Sequence, residues 1–262
     1  MAQERRVFIN LAATPALGST VSGTRITLSP EDAHHLRDVL RLSPGNTVTA
    51  INAATRRRYT ARVAEASRHA VVLELLDEAV SGERRSRVAS LIFALTKGER
   101  TDLVCEKACE LGVEHIILWQ ADRSIVRIEP GDRARKEARW ARILESAARQ
   151  SDRNEVPALH LALTRGELLK TLDTIAEAGD RFLTCSLAAG AVELRELPRP
   201  AGRVHLLVGP EGDLTPEEER TIMERHFELV SLGPLVLRSE TAALAAVAMA
   251  NGVWGFRPEQ PS

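Results

Sequence analysis

From residue 88 onward, short apolar runs alternate with longer segments of helical periodicity, and this alternation constrains the fold more than any other feature of the sequence. Residues 88–95, 113–119, 158–162, 181–187, 204–208 and 228–232 read as strands. Residues 101–112, 133–150, 167–178, 215–226 and 240–254 read as helices. Strands that are apolar along their whole length, each followed by an amphipathic helix, predict an α/β fold with a parallel sheet covered on both faces. In the segment 133–150, Trp140, Ile143, Leu144, Ala147 and Ala148 fall at i, i+3, i+4, i+7 and i+8, which defines one core-facing stripe. Thr215-Pro216-Glu217-Glu218 is a capping box with proline at the first helical position. Thr101-Asp102 reads as the cap of a helix with Leu103, Ala108 and Leu111 turned inward, ended by Gly112.

The first 76 residues follow a different rule. Short strands at 7–10, 25–28, 47–52, 59–65 and 70–76 are separated by turn residues, and one helix interrupts them, capped by Ser29 with Pro30 at its first position and ending near Leu40. The pattern predicts a small, mostly β barrel domain over 1–76. Residues 77–87 are polar without apolar periodicity and read as the linker into a second domain that runs to 262. Net charge is −1, but it is unevenly spread: residues 1–75 hold ten Arg against six Asp or Glu, leaving an acidic excess in the remainder. The basic excess in the first third is the electrostatic footprint expected of a nucleic-acid contact.

Several function classes fall away. The N-terminal residues lack the apolar core of a secretory signal, and the longest apolar run, 241–253, is broken by Asn251 and Gly252 and too short to span a bilayer. Three cysteines do not form a disulfide framework, which points to a cytoplasmic protein. Cys105 and Cys109 share a helical face but no further ligands follow at metal-site spacing, so packing is expected and no metal. No Gly-x-Gly-x-x-Gly motif opens a βα unit, and Lys97-Gly98 lacks the glycine-rich lead-in of a phosphate loop.

Two segments remain that carry chemistry. Val208-Gly209-Pro210-Glu211-Gly212 follows directly on an apolar strand, where glycine lets a ligand approach the backbone. Leu232-Gly233-Pro234-Leu235-Val236-Leu237 leads into Arg238-Ser239-Glu240-Thr241-Ala242, with Ser239 placed to cap the last helix. Turn chemistry explains either segment alone. Both, however, stand at carboxyl ends of strands, where open α/β sheets bind ligands. Together they resemble the cofactor loops of the SPOUT class of RNA methyltransferases. Arg6-Val7-Phe8, the stretch from His35-Leu36-Arg37 to Val39-Leu40-Arg41, Lys107 with Glu110-Leu111-Gly112-Val113, and Gln150-Ser151 with Arg153 are similar to one branch, the 16S rRNA (uracil-N3)-methyltransferases.

This resemblance implies a C-terminal domain with a trefoil-knotted parallel sheet, an N-terminal PUA-like RNA-binding barrel, and a homodimer in which the final helix, 242–254, is the interface element. It implies S-adenosyl-L-methionine as cofactor, held by Cys185, Ser186 and Leu187 in a third loop, by Val208, Gly209, Pro210, Glu211 and Gly212, and by Leu232, Gly233, Leu237, Arg238, Ser239 and Thr241. The substrate would be 16S rRNA or the small ribosomal subunit. Methylation at N3 of uracil needs the ring proton removed and the resulting charge stabilised. Arg238 is placed to stabilise that charge, and Glu240 is the nearest carboxylate to accept the proton. Arg6, Arg37, Arg41 and the run Arg56-Arg57-Arg58, together with Lys97, Arg123, Arg149 and Arg153, outline an RNA path. A triple arginine is also what a solvated strand edge looks like. Where the family reads Gly-Pro-Glu-Gly-Gly, this chain has Asp213 in place of the final glycine, a residue that tolerates left-handed backbone and could cap the next helix. The competing readings are a SPOUT methyltransferase with another RNA target and a non-catalytic RNA-binding ribosome assembly factor.

Overall fold

The structure, a computed structural model, describes residues 6–9, 22–52, 58–67, 70–79, 84–151, 153 and 155–258. Arg56 and Arg57 lie outside the described residues, as does the side chain of Arg6. Two compact units are present, one within 1–83 and 152–155, the other within 84–151 and 156–262.

In the first unit, β1 (Arg6–Ile9), β2 (Arg25–Thr27), β3 (Thr47–Asn52), β4 (Arg58–Ala66) and β5 (Val71–Ala79) form a five-stranded sheet of order β1-β3-β4-β5-β2. The β1–β3 pair is parallel and the others are antiparallel. Period-two alternation does the packing: Tyr59, Ala61 and Val63 on β4 and Val71, Leu73 and Leu75 on β5 all enter one apolar core. Ser29 Oγ accepts from the Asp32 N–H at 3.2 Å and starts helix α1 (Pro30–His34). The helix continues as a π-helical turn over His35–Val39, a widening that periodicity does not reveal. Arg41 then adopts φ of 53°. This left-handed residue brings the Leu42 N–H back to the Leu36 carbonyl at 3.0 Å and buries both leucines.

The second unit opens on β6 (Arg84–Arg85), which pairs with β14 (Arg257–Pro258) at the far end of the unit's chain. Between them run β7 (Val88–Ala94), α2 (Arg100–Glu110), β8 (His115–Trp119), α3 (Arg133–Gln150), β9 (Ala158–Ala162), α4 (Arg165–Ile175), β10 (Arg181–Cys185), β11 (Val192–Glu193), β12 (Val204–Val208), α5 (Pro216–Glu224), β13 (Glu228–Ser231) and α6 (Ser239–Trp254). Seven of the strands make one sheet of order β11-β13-β10-β12-β7-β8-β9, and every pair in it is parallel. All seven residues of β7 and all five of β12 are buried, as a sheet covered on both faces requires. Ile92, Ile117 and Leu207 pack with Leu168 and Leu172 of α4 and Ile222 of α5, while α2, α3 and α6 take the opposite face. Because β12 enters between β7 and β10, the carboxyl ends of β13, β10 and β12 lie side by side.

Several local expectations are corrected. Helix α2 begins at Arg100, one residue before the anticipated cap, and its N-cap Glu99 makes no side-chain bond. That start turns Thr101, Val104, Cys105, Ala108 and Cys109 inward and leaves Leu103 40% exposed. Thr101 instead donates to the Thr96 carbonyl at 3.3 Å, and Asp102 accepts from the Trp140 indole at 2.9 Å. Ser239 does not cap α6: Arg238 is the N-cap residue, without a side-chain bond, and Ser239 is buried in the first turn. Asp213 adopts φ of 57°, but the cap of α5 is Thr215. Helix α4 starts two residues earlier than 167, because Thr164 accepts from the Glu167 N–H and sets its start. The two-residue strand β11 and the 3-10 turn Leu194–Glu196 carry too few residues to show any period.

Candidate cofactor site

Three loops leave the adjacent carboxyl ends of β10, β12 and β13, and they enclose a cavity of about 550 Å³. Within the size range of small-molecule sites, such a volume with a mostly apolar lining takes a ligand of nucleoside dimensions. From the first loop come Cys185, Ser186 and Leu187; from the second Val208, Gly209, Pro210 and Glu211; from the third Leu232, Gly233, Leu237, Arg238 and Ser239. Two expected residues stand apart. Gly212 lies against Arg123 on the outside of its loop, and Thr241 is exposed on the first turn of α6; neither lines the cavity.

Each loop is held by local chemistry. In the second, the Asp213 N–H returns to the Pro210 carbonyl at 3.1 Å, closing a turn after which Asp213 itself takes left-handed backbone. The capping box at Thr215 then fixes α5. Its partner Glu218 is buried, and the same carboxylate accepts from the Asp122 N–H at 2.8 Å. Arg123 donates to the carbonyls of Gly212 and Leu214, both at 3.2 Å, so the stretch after β8 braces the loop from outside. In the third loop, Ser231 Oγ bonds both the N–H and the carbonyl of Gly233 at 3.2 Å, where φ is 126° and a side chain would be strained.

The cavity's mouth is rimmed by exposed apolar side chains: Leu187 at 68%, Leu235 at 73% and Val236 at 79%. Large apolar groups left in water at a cavity rim are what a partly apolar ligand covers. At Gly209 a Cβ would rest against Leu214 at 3.4 Å, an ordinary van der Waals contact. Burial pushes the Cys185 thiol up to about 12, so it is a protonated wall and not a nucleophile. An apolar slot with backbone on three sides, Glu211 and Arg238 at its edge, and an exposed apolar rim fits an adenosine bearing a charged amino-acid tail.

Charge at the site is organised by a residue that periodicity did not single out. The guanidinium of Arg100, at the start of α2, pairs with Glu211 in the second loop and stands 3.6 Å from Glu240 on α6. Glu240 does not line the cavity; its carboxylate is turned to Arg100, while Arg238 is exposed and does line it. The only signal for Arg100 in the sequence is its place just after Lys97-Gly98-Glu99 at a strand's carboxyl end. Leu235 and Val236 were legible as apolar residues in a loop.

The expected RNA-contact residues divide. Lys97 and Arg41 are exposed, and Arg37 is held by Asp38 and by the Ser67 carbonyl at 2.9 Å. Arg149 is half-buried on α3 and Arg153 is buried.

At the opposite, amino-terminal ends of the strands lies a buried Asp180–His205–Ser90 chain, with Asp180 Oδ2 3.0 Å from His205 Nε2 and His205 Nδ1 2.8 Å from Ser90 Oγ. It has the connectivity of a hydrolytic triad. Ser90 and His205 are fully buried, however, and no residue of the chain lines the cavity, so the network is structural. Among the described residues no helix is long and apolar enough to cross a membrane, and no group of three or more His, Cys, Asp or Glu could hold a metal ion.

Comparison with known proteins agrees with this geometry. Residues 83–251 match the family model described as RNA methyltransferase domain, and residues 28–76 match the RNA methyltransferase PUA domain. Ribosomal RNA small subunit methyltransferase E of Bacillus subtilis is 27% identical over 230 residues, covering 84% of this chain and 87% of that protein. The solved structure of ribosomal RNA small subunit methyltransferase E from Neisseria gonorrhoeae, bound to S-adenosyl methionine, is 30% identical over 96% of this chain and 98% of that one, with a TM-score of 0.80. A parallel sheet with three ligand loops, a separate β unit and a family match over most of the length lead to one conclusion: the chain belongs to the RNA methyltransferase family, in the group that carries the name ribosomal RNA small subunit methyltransferase E.

Proposed function

We propose that this protein is an S-adenosylmethionine-dependent methyltransferase of small-subunit (16S) ribosomal RNA, acting at N3 of a uridine. The observation that carries the reading is the convergence of three strand-end loops on one apolar cavity of about 550 Å³, in a chain alike over almost its full length to a relative solved with that cofactor. Bound there, the cofactor supplies a methyl group already activated on a sulfonium sulfur. The protein's own task is to hold the acceptor nitrogen in line and to absorb the charge left on the uracil when N3 gives up its proton.

Arg238, exposed at the cavity's edge, is suited to stabilise that charge. Glu240 was the expected proton acceptor. Its ion pair with Arg100 favours a positioning role instead, tying α6 to the second loop through Arg100 and Glu211, and the N3 proton is released to water at the cavity mouth. The cofactor contacts are the twelve expected residues that line the cavity. The family models support a PUA-type RNA-docking domain over 1–76 and a catalytic domain over 77–262, in which the order β13-β10-β12-β7 is compatible with a knotted chain. Leu244, Ala245, Met249 and Val253 leave an apolar, incompletely buried face on α6 that supports a homodimer. The enzyme would work in the cytoplasm, where its substrate is assembled.

The test is mass mapping of 16S rRNA from a strain lacking the gene, with and without complementation. Loss of one N3-methyluridine, restored by the wild-type chain, is expected. Arg238→Ala should fail to restore it even at cofactor concentrations that saturate the variant. An unaltered methylation map would overturn the reading.

A further inference from the structure

Residues 76–262 carry 25 Lys or Arg against 30 Asp or Glu, yet α3 reverses that sign, with six cations and two acids over Arg133–Gln150. Their placement is not random. At about 100° per residue, Arg135, Arg139 and Arg142 share one stripe of the helix. It lies opposite Trp140, Leu144, Ala147 and Ala148, which are buried. The intervening stripe residues Ala138 and Ser146 are uncharged, and Arg139, still more than half exposed, pairs with Asp102 of α2. Arg135 is 72% exposed and, among the described residues, paired with Asp132 at 2.9 Å, a surface pair of little energy. Arg142 is exposed, and no carboxylate partner is found for it among the described residues.

The stripe leads somewhere. Lys136, Arg139 and Asp102, with Gly98 and Trp140, line a separate notch of about 90 Å³ at the carboxyl end of β7, where the two cations outnumber the one carboxylate. Lys136 stands 6.0 Å over the Trp140 ring. Arg100, two residues beyond Gly98, reaches Glu211 in the lining of the large cavity. The stripe therefore meets the notch at Arg139, and Arg100 links that strand end to the cavity.

We propose that the Arg135–Arg139–Arg142 stripe is a track for the phosphate backbone of the RNA strand that flanks the target nucleotide, with the notch taking a phosphate–ribose unit next to the cavity. It rests on the reading of the chain as an rRNA methyltransferase. Spanning about 10 Å, the stripe meets two or three phosphates and carries no base specificity, as backbone contacts do.

The experiment measures binding of a naked 16S rRNA fragment and of the assembled small subunit by wild type and by the Arg135→Ala/Arg142→Ala variant over a range of salt, with Lys170→Ala, an exposed cation on α4, as control. The double variant should lower the slope of log K against log salt by about 1.5, two phosphate contacts' worth. It should raise KM for RNA several-fold and leave kcat and cofactor Kd as they were. Lys170→Ala should match wild type. An unchanged slope and KM in the double variant would overturn the proposal, and so would an equal effect of Lys170→Ala. Weakened binding to the assembled subunit alone would assign the stripe to a ribosomal protein and also overturn it. If wild type itself neither binds nor methylates rRNA, the underlying reading fails; if only the double variant is indistinguishable from wild type, the track alone fails.

Discussion

Replacing Asp180 by Asn tests whether the buried network at the amino-terminal sheet edge is a stability element. Asp180 is 2% exposed, and burial alone would raise its pKa. Arg203 at 2.9 Å, His205 at 3.0 Å and the N–H groups of Glu177 and Arg203 at 2.9 and 2.8 Å outweigh that and hold it at about 2, against 3.8 ordinarily. The difference corresponds to about 2.4 kcal/mol of stability at neutral pH. Because the folded pKa is the lower one, the contribution is complete above about pH 5 and is lost as pH falls through the folded value, leaving about 1.3 kcal/mol at pH 3. Asn presents a donor to donors and leaves the buried Arg203 with Glu177 at 3.1 Å and Glu114 at 3.9 Å. A loss of about 3 kcal/mol at pH 7 is expected. Urea unfolding followed by tryptophan fluorescence reads it cleanly, since all three tryptophans, Trp119, Trp140 and Trp254, lie in the second unit. The gap between wild type and variant should narrow by roughly 1 kcal/mol between pH 7 and pH 3. A gap below about 1 kcal/mol at pH 7, or one equal at both pH values, would refute the reasoning.

Two further outcomes follow from the cofactor loops. Arg100→Ala removes the cation between Glu211 and Glu240 and should raise cofactor Kd about five- to tenfold by calorimetry, with partial recovery in Arg100→Lys; a partly exposed pair of this kind is worth about 1 kcal/mol. Asp213→Gly relieves left-handed backbone and should raise unfolding stability by about 0.5–1 kcal/mol in the same urea assay, with cofactor affinity within twofold of wild type. A large loss of affinity would give the Asp213 side chain a role in the loop that its backbone conformation does not explain.

The sequence by itself determined the class of fold and most of the binding loops. Apolar strands β7 and β12 must be covered on both faces, so their alternation with amphipathic helices left little choice but a parallel sheet. Gly209, Gly233 and the Thr215 capping box are local signals whose backbone consequences are local too. Only the tertiary structure decided which loops meet. Insertion of β12 between β7 and β10 makes neighbours of three loops separated by tens of residues, and no short-range pattern encodes strand order. The same holds for Arg100, which reaches Glu211 across 111 residues of chain, and for Leu103, whose exposure follows from a helix start one residue early. Long-range ion pairs and helix phase are fixed by packing, where burial energies exceed the propensities that can be read from neighbours along the chain.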